Sequence, residues 1–198
     1  MQRSLFMLLA TLVLAAVLVP AALAARVSVR VEGRTTTIFG ALQTPFEAGT
    51  NALQALDAAS LRGEFYYHVA TTSFGPYVDQ IGRYPAGGTS GWTFKVNGVS
   101  APVGAHNVQL QDGDRVLWYW ATFGPSGGPP TLLLIRRGRN CYRVVSENDA
   151  GLDSTAVGAV LNVDGRRIRT RSGRGCVGRH VGLVRATLPG AVRSNALR

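Results

Sequence analysis

The sequence predicts a mainly β protein: a strand-rich domain with one short helix, followed by a small β-sandwich. Three observations carry this. First, Gly91-Trp92-Thr93-Phe94-Lys95-Val96-Asn97-Gly98 alternates Trp92, Phe94 and Val96 against Thr93 and Lys95 and ends in a dipeptide suited to a tight reversal. Second, Val116 to Ala121 is apolar on both faces, with Val116, Trp118 and Trp120 on one side and Leu117, Tyr119 and Ala121 on the other. That pattern belongs to a central strand covered above and below. Third, the last 70 or so residues break into short strand-like runs with turn residues between them, the signature of a small sandwich.

The elements follow in order. Leu5 to Val19 is an apolar run preceded by Arg3 and broken by Pro20, with Ala22-Leu23-Ala24 beyond it. This reads as a secretory signal over residues 1–24. The competing reading is an uncleaved anchor, since Ser4 to Ala25 holds 22 uncharged residues. Val27, Val29 and Val31 then alternate with Ser28, Arg30 and Glu32 as a half-buried strand, and Gly33-Arg34 turns the chain into a partner at Thr35–Phe39. Thr50 reads as the N-cap of a helix running to Leu61, with Leu53, Leu56 and Ser60 on one stripe and Gly63 at the stop. Phe65–Ala70 and Tyr77–Ile81 are further strands, and Val108-Gln109-Leu110 alternates before the Trp118 strand.

Gly124-Pro125-Ser126-Gly127-Gly128-Pro129-Pro130 resists both helix and ladder and reads as a linker between a domain at 25–123 and one at 131–198. Charge changes at the same place. Residues 26–123 hold seven basic and seven acidic side chains, whereas 124–198 hold thirteen Arg against four carboxylates, a net of +9; Arg3 completes the total of +10. Strand-like runs follow at Thr131–Ile135, Cys141–Val145, Val157–Val163, Arg166–Thr170, Val181–Leu188 and Ala191–Leu197. Cys141 and Cys176 are the only cysteines, both after the linker; in an exported chain they read as one disulfide, worth about 4 kcal/mol in the chain-entropy account.

The chemistry is sparse. His68, His106 and His180 lie in separate segments, with no nucleophile elbow and no zinc-type His pair. No metal site is expected. Asp112-Gly113-Asp114 reads as a turn before it reads as a carboxylate pair. Arg167, Arg169 and Arg171 alternate with Ile168 and Thr170, which would set three guanidiniums on one strand face for a polyanion; a solvated Arg-rich face is the alternative. Trp92, Phe94, Trp118, Tyr119 and Trp120 are more aromatic surface than one core face needs, so part of the set is a candidate ligand site; the alternative is a plain core role.

The opening strand Val27–Gly33, Asn51-Ala52-Leu53-Gln54-Ala55-Leu56, Phe74-Gly75-Pro76-Tyr77-Val78-Asp79-Gln80-Ile81, the Gly91–Gly98 strand, Gly104-Ala105 and Asp112–Tyr119, in this order and spacing, resemble the transcobalamin-like C-terminal domain family of secreted bacterial proteins. The resemblance covers residues 25 to 123 and implies a β-grasp-like fold with one helix on a sheet. In animal cobalamin carriers the corresponding domain closes over the vitamin beside a helical barrel. No counterpart of that barrel occurs in this sequence, so no cofactor is expected. Ala156 to Gly165 carries a weaker likeness to immunoglobulin-like or carboxypeptidase-regulatory-like sandwiches.

Export, the resemblance and the missing catalytic constellation together point to a non-catalytic, extracytoplasmic binding or adhesion module of the cell envelope. Its expected partner is an anionic envelope polymer or a small molecule, not nucleic acid, with membrane attachment only if the first segment stays uncleaved. The alternative is an exported accessory subunit or an enzyme with an unrecognised active site.

Overall fold

A computed structural model describes residues 24–198, so the signal-or-anchor segment lies outside the described residues apart from Ala24. In chain order the elements are β1 (Arg26–Glu32), β2 (Thr37–Phe39), β3 (Phe46–Glu47), α1 (Ala52–Gly63), β4 (Tyr67–Thr72), β5 (Gly75–Ile81), β6 (Tyr84–Pro85), β7 (Ser90–Val96), β8 (Val99–Ser100) and β9 (Arg115–Thr122). A 3-10 turn at Ala105–Asn107 precedes β9. After residue 130 come β10 (Thr131–Gly138), β11 (Cys141–Glu147), β12 (Asp153–Thr155), β13 (Val160–Val163), β14 (Arg166–Arg169), β15 (Arg174–Cys176), β16 (Val184–Thr187) and β17 (Ala196–Leu197). The protein is mainly β with one α-helix among the described residues.

The first half is built on a sheet of order β2-β1-β9-β7-β8, with β3 also on β1. The strands β1 and β9 run parallel at its centre, and every other pairing in this sheet is antiparallel. Parallel neighbours need a long crossover, and α1 lies in that crossover and packs on β1, β2 and β9, which makes the arrangement β-grasp-like. Val27, Val29 and Val31 face the helix through Ala52, Ala55, Leu56 and Ala59, joined by Trp92, Phe94 and Trp118. The reversal between β7 and β8 puts Asn97 and Gly98 at φ 53° and 89°, the double positive φ that Asn-Gly supplies in a two-residue hairpin. A separate sheet, β4-β5-β6, carries the hairpin of β4 and β5 that precedes β7 in the chain.

Two sheets make up the second half: β10-β11-β12 with β15 also on β11, and β14-β13-β16-β17. Their inner faces meet through Leu132, Leu134, Tyr142 and Val144 from one and Leu161, Val163, Val184 and Ala186 from the other. Cys141 and Cys176 sit opposite each other on β11 and β15 and are joined as a disulfide, their Cα atoms 4.0 Å apart.

Several expectations are corrected. The N-cap is Asn51, one residue later than Thr50: its Oδ1 accepts from Leu53 N and Gln54 N at 3.1 and 3.0 Å. Thr50 instead donates its backbone N–H and hydroxyl to Gln54 Oε1. Glu64, not Gly63, takes the left-handed closing position. The run Val157–Val163 is strand only from Val160, because Val157 is exposed and Gly158 turns at φ 80°. Similarly, Val181–Leu188 shrinks to Val184–Thr187, and Ala191–Leu197 to its last full pair. Most consequentially, β1 is not half-buried. Ser28, Arg30 and Glu32 are only 5%, 3% and 1% exposed, because the second half of the chain covers that face.

Candidate functional site

The covering contact begins with charge. The Glu32 carboxylate accepts from Arg185 Nη2 at 3.0 Å, from Arg193 Nε and Nη2 at 3.1 and 2.9 Å, and from Arg30 Nη1 at 3.4 Å. Thr37 adds its hydroxyl at 3.0 Å, and Arg185 also donates to that hydroxyl. Burial pulls the Arg30 guanidinium down to about 10 against the opposing pull of Glu32, leaving it cationic at neutral pH. On β7, Lys95 is fully buried and donates to Asn148 O at 2.8 Å, Glu147 O at 3.2 Å and Thr131 Oγ1 at 3.3 Å. Between these two polar anchors Leu117, Tyr119 and Ala121 of β9 meet Val192. Two of the thirteen C-terminal arginines, Arg185 and Arg193, are thereby committed to holding the halves together.

At the end of this junction the surface opens into a cleft with two arms that share Arg34 and Trp120. One arm, about 360 Å³, runs over Thr122, Pro129 and Gly190–Arg193. The other, about 370 Å³, runs over Arg83, Tyr84, Pro85, Gly87 and Ser90. Local chemistry fixes its aromatic floor. Trp120 stands edge-on to Trp92 at 5.7 Å and tilted against Tyr84 at 6.0 Å, while Trp92 Nε1 donates to Tyr84 O at 2.8 Å. Arg34 lies 5.8 Å over the Trp120 ring and Arg83 lies 5.2 Å over Tyr84. Neither Arg34 nor Arg83 has a carboxylate partner among the described residues. The Tyr84 hydroxyl is held below its ordinary value by a hydrogen bond with Thr35 and then by Arg83. No histidine, carboxylate or thiol lines either arm, so the cleft offers cations, hydroxyls and a π-face rather than an acid–base pair.

The structure distributes the five predicted aromatic residues over three environments. Trp92, Phe94 and Trp118 are buried on the helix side of the sheet, with Phe94 stacked on Trp118 at 4.9 Å. Tyr119 is buried on the opposite side, at the junction. Trp120 alone among the five is partly open, and it is the one in the cleft. Sequence reasoning missed Arg34, Arg83, Tyr84 and Arg193. Arg34 lies in the bend after β1 and Arg83 in the turn before β6, where Tyr84 begins; nearly fifty residues separate them, and no local pattern links them.

The predicted arginine face is also rearranged. Arg167 and Arg169 are exposed on β14, an edge strand, but the strand ends at Arg169. Thr170 is buried with its hydroxyl on Ala159 O, and Arg171 belongs to the turn beyond, bridged to Arg174. The strand thus presents two of the three expected guanidiniums. A different group converges instead: Arg137, Arg143 and Arg174 line a cleft of about 560 Å³ beside Tyr142 and the disulfide. The pair Asp112 and Asp114 makes a turn, accepting from Arg26 N and Gln111 N, and His68 is a surface residue 2.7 Å from Asp79. Among the described residues no group of His, Cys, Asp and Glu could hold a metal ion, and no helix is long and apolar enough to cross a membrane.

A mixed sheet with parallel central strands and a single crossover helix, carrying an aromatic cleft at its end, defines the class of domain. Residues 49–122, from the helix cap through β9, match the family described as a domain of unknown function, DUF4430, which is of the transcobalamin-like C-terminal type. No curated protein matches the chain.

Proposed function

We propose that the protein is a non-catalytic, extracytoplasmic binding module whose cleft at Trp120 grips an anionic, ring-bearing polymer of the cell envelope. The family likeness is read here as reaching from Ala25 to Phe123, with the Arg-rich sandwich as a second module. The observation that carries the proposal is the pairing of a part-open indole with Arg34 and Arg83, which have no carboxylate among the described residues to neutralise them. An indole face takes up the apolar side of a sugar ring, and planar guanidiniums recognise carboxylate or phosphate bidentately. Arg137 and Arg174, both exposed, and the half-buried Arg143 would extend the same preference along a chain of repeating charge. The disulfide fits an oxidising compartment.

The test is titration of the full chain with oligogalacturonate, against neutral dextran oligomers of the same length. Oligogalacturonate should shift the tryptophan emission and bind more weakly as salt is raised, since charges on an exposed face are screened over roughly 8 Å at physiological ionic strength. Replacing Arg34 and Arg83 by Gln should weaken it about tenfold or more, the order expected for two charge-assisted contacts. Trp120→Ala should remove the emission change. Equal binding of neutral and acidic oligomers, or no effect of these substitutions, would refute the reading.

A further inference from the structure

A second cavity, of about 180 Å³, opens on the helix side of the sheet, where Leu53 of α1, Tyr77 of β5, Phe94 of β7, Val103 and Ala105 of the following loop, and Trp118 of β9 meet. No charged side chain lines it. Its wall holds an unusual donor: Trp118 is 2% exposed, yet its Nε1 has no hydrogen-bond partner among the described residues. Buried indole N–H groups ordinarily find an acceptor, because leaving one dry is costly. The surrounding structure has the means to satisfy such a group elsewhere: Trp92, on the adjacent strand and two residues along in register, reaches Tyr84 O. A water is a poor substitute, since it needs two to four polar partners and this wall is mostly apolar.

We infer that this cavity binds a small, uncharged, single-ring molecule bearing one hydrogen-bond acceptor, such as an aryl ketone or a lactone, which takes the Trp118 Nε1–H. Size supports a single ring: an engineered apolar cavity of roughly 150 Å³ holds benzene. The absence of charge from the lining excludes the acidic ligands suited to the cleft at Trp120, so the two sites select opposite chemistries. Phe94, stacked on Trp118, keeps the indole plane fixed; the Nε1 itself is closed off from solvent, so the acceptor reaches it by displacing a rim side chain such as Val103.

The full chain, labelled with nitrogen-15, is titrated with acetophenone and with ethylbenzene, which has nearly the same shape and no acceptor. The indole signals are assigned from Trp120→Phe and Trp92→Phe. Acetophenone should move the Trp118 indole N–H downfield and bind about tenfold tighter than ethylbenzene, the usual scale of one buried hydrogen bond. Val103→Phe, at a half-exposed rim position, should abolish both effects while the Trp120 indole signal, outside this cavity, stays in place. The Arg34 and Arg83 substitutions should leave acetophenone binding unchanged, which separates this site from the polymer cleft. A Trp118 signal indifferent to acetophenone, equal affinity for the two probes, or undiminished binding to Val103→Phe would each overturn the inference.

Discussion

Glu32 is one carboxylate among three guanidiniums, 1% exposed and accepting from every one of them. Three cations were brought out of water for it, and their own mutual repulsion is tolerated only while that single negative charge stands between them. Glu32→Gln keeps the shape and removes the charge. The expected loss is about 3–5 kcal/mol of unfolding free energy, the scale for breaking a buried ionic group by removing one partner. Urea unfolding with and without the substitution measures it, and a change below about 1 kcal/mol would mean that solvent already screens the cluster. Nothing around residue 32 announces this role. In the sequence it is the polar residue of an alternating strand, and its partners Arg185 and Arg193 lie 153 and 161 residues away. Lys95 was hidden for the same reason: local alternation places it on the face opposite Phe94, but only distant groups, the carbonyls of Glu147 and Asn148, the Thr131 hydroxyl and the Asp149 carboxylate at 3.7 Å, make its burial tolerable.

Elements were legible where their causes are local. The Asn97-Gly98 reversal, the two-sided apolar strand at residues 115–122 and the helix stripe all rest on residues a few positions apart, and all are present. Ends were less legible, since a cap is chosen by the backbone geometry of one residue and both Thr50 and Asn51 have a suitable side-chain oxygen. Asn51 holds two backbone N–H groups, whereas Thr50 is itself a donor to Gln54. Asn51→Ala should therefore destabilise the protein by about 1 kcal/mol, the usual value of an N-cap, and Thr50→Ala by clearly less. Thermal unfolding of the two variants tests the order. The bounds of the short strands in the second half were less legible, because runs such as Val157–Val163 mark apolar content, not the positions where Gly158 turns the backbone away.

At the scale of the whole molecule, the two hydrophobic clusters are each contained within one half, and the junction is a third, small one. Its largest side chain is Tyr119, whose hydroxyl is pushed up to about 12 by burial. The folded state keeps that proton above the pH at which an unfolded tyrosine, with an ordinary value of 10.0, gives it up. The stabilisation is therefore complete below about pH 10 and is lost as pH rises through about 12, a change of roughly 2–3 kcal/mol. Urea unfolding followed from about pH 9 to about pH 11.5 should show this decline, and Tyr119→Phe should flatten it. Tyr67, also pushed up to about 12, stays in both proteins and cancels in the comparison. A decline identical in the two would place the alkaline sensitivity elsewhere. The cleft at Trp120 belongs to this scale as well, because its walls come from three turns and from the stretch Gly190–Arg193. The aromatic half of it could be picked out from the strand pattern, whereas the cationic half could not.

The parallel pairing of β1 with β9 has a consequence for the order in which the molecule can be made. A ribosome delivers β1 first, yet its central neighbour arrives some ninety residues later and the arginines for Glu32 only within the last fourteen. Until then, the nascent β1 has only its short local partners β2 and β3. Closing such distant contacts is slow compared with forming a local hairpin. A chain built this way can form its helix and local hairpins early, but β1 gains its central partner only once β9 has been made, and Glu32 its shell of cations later still.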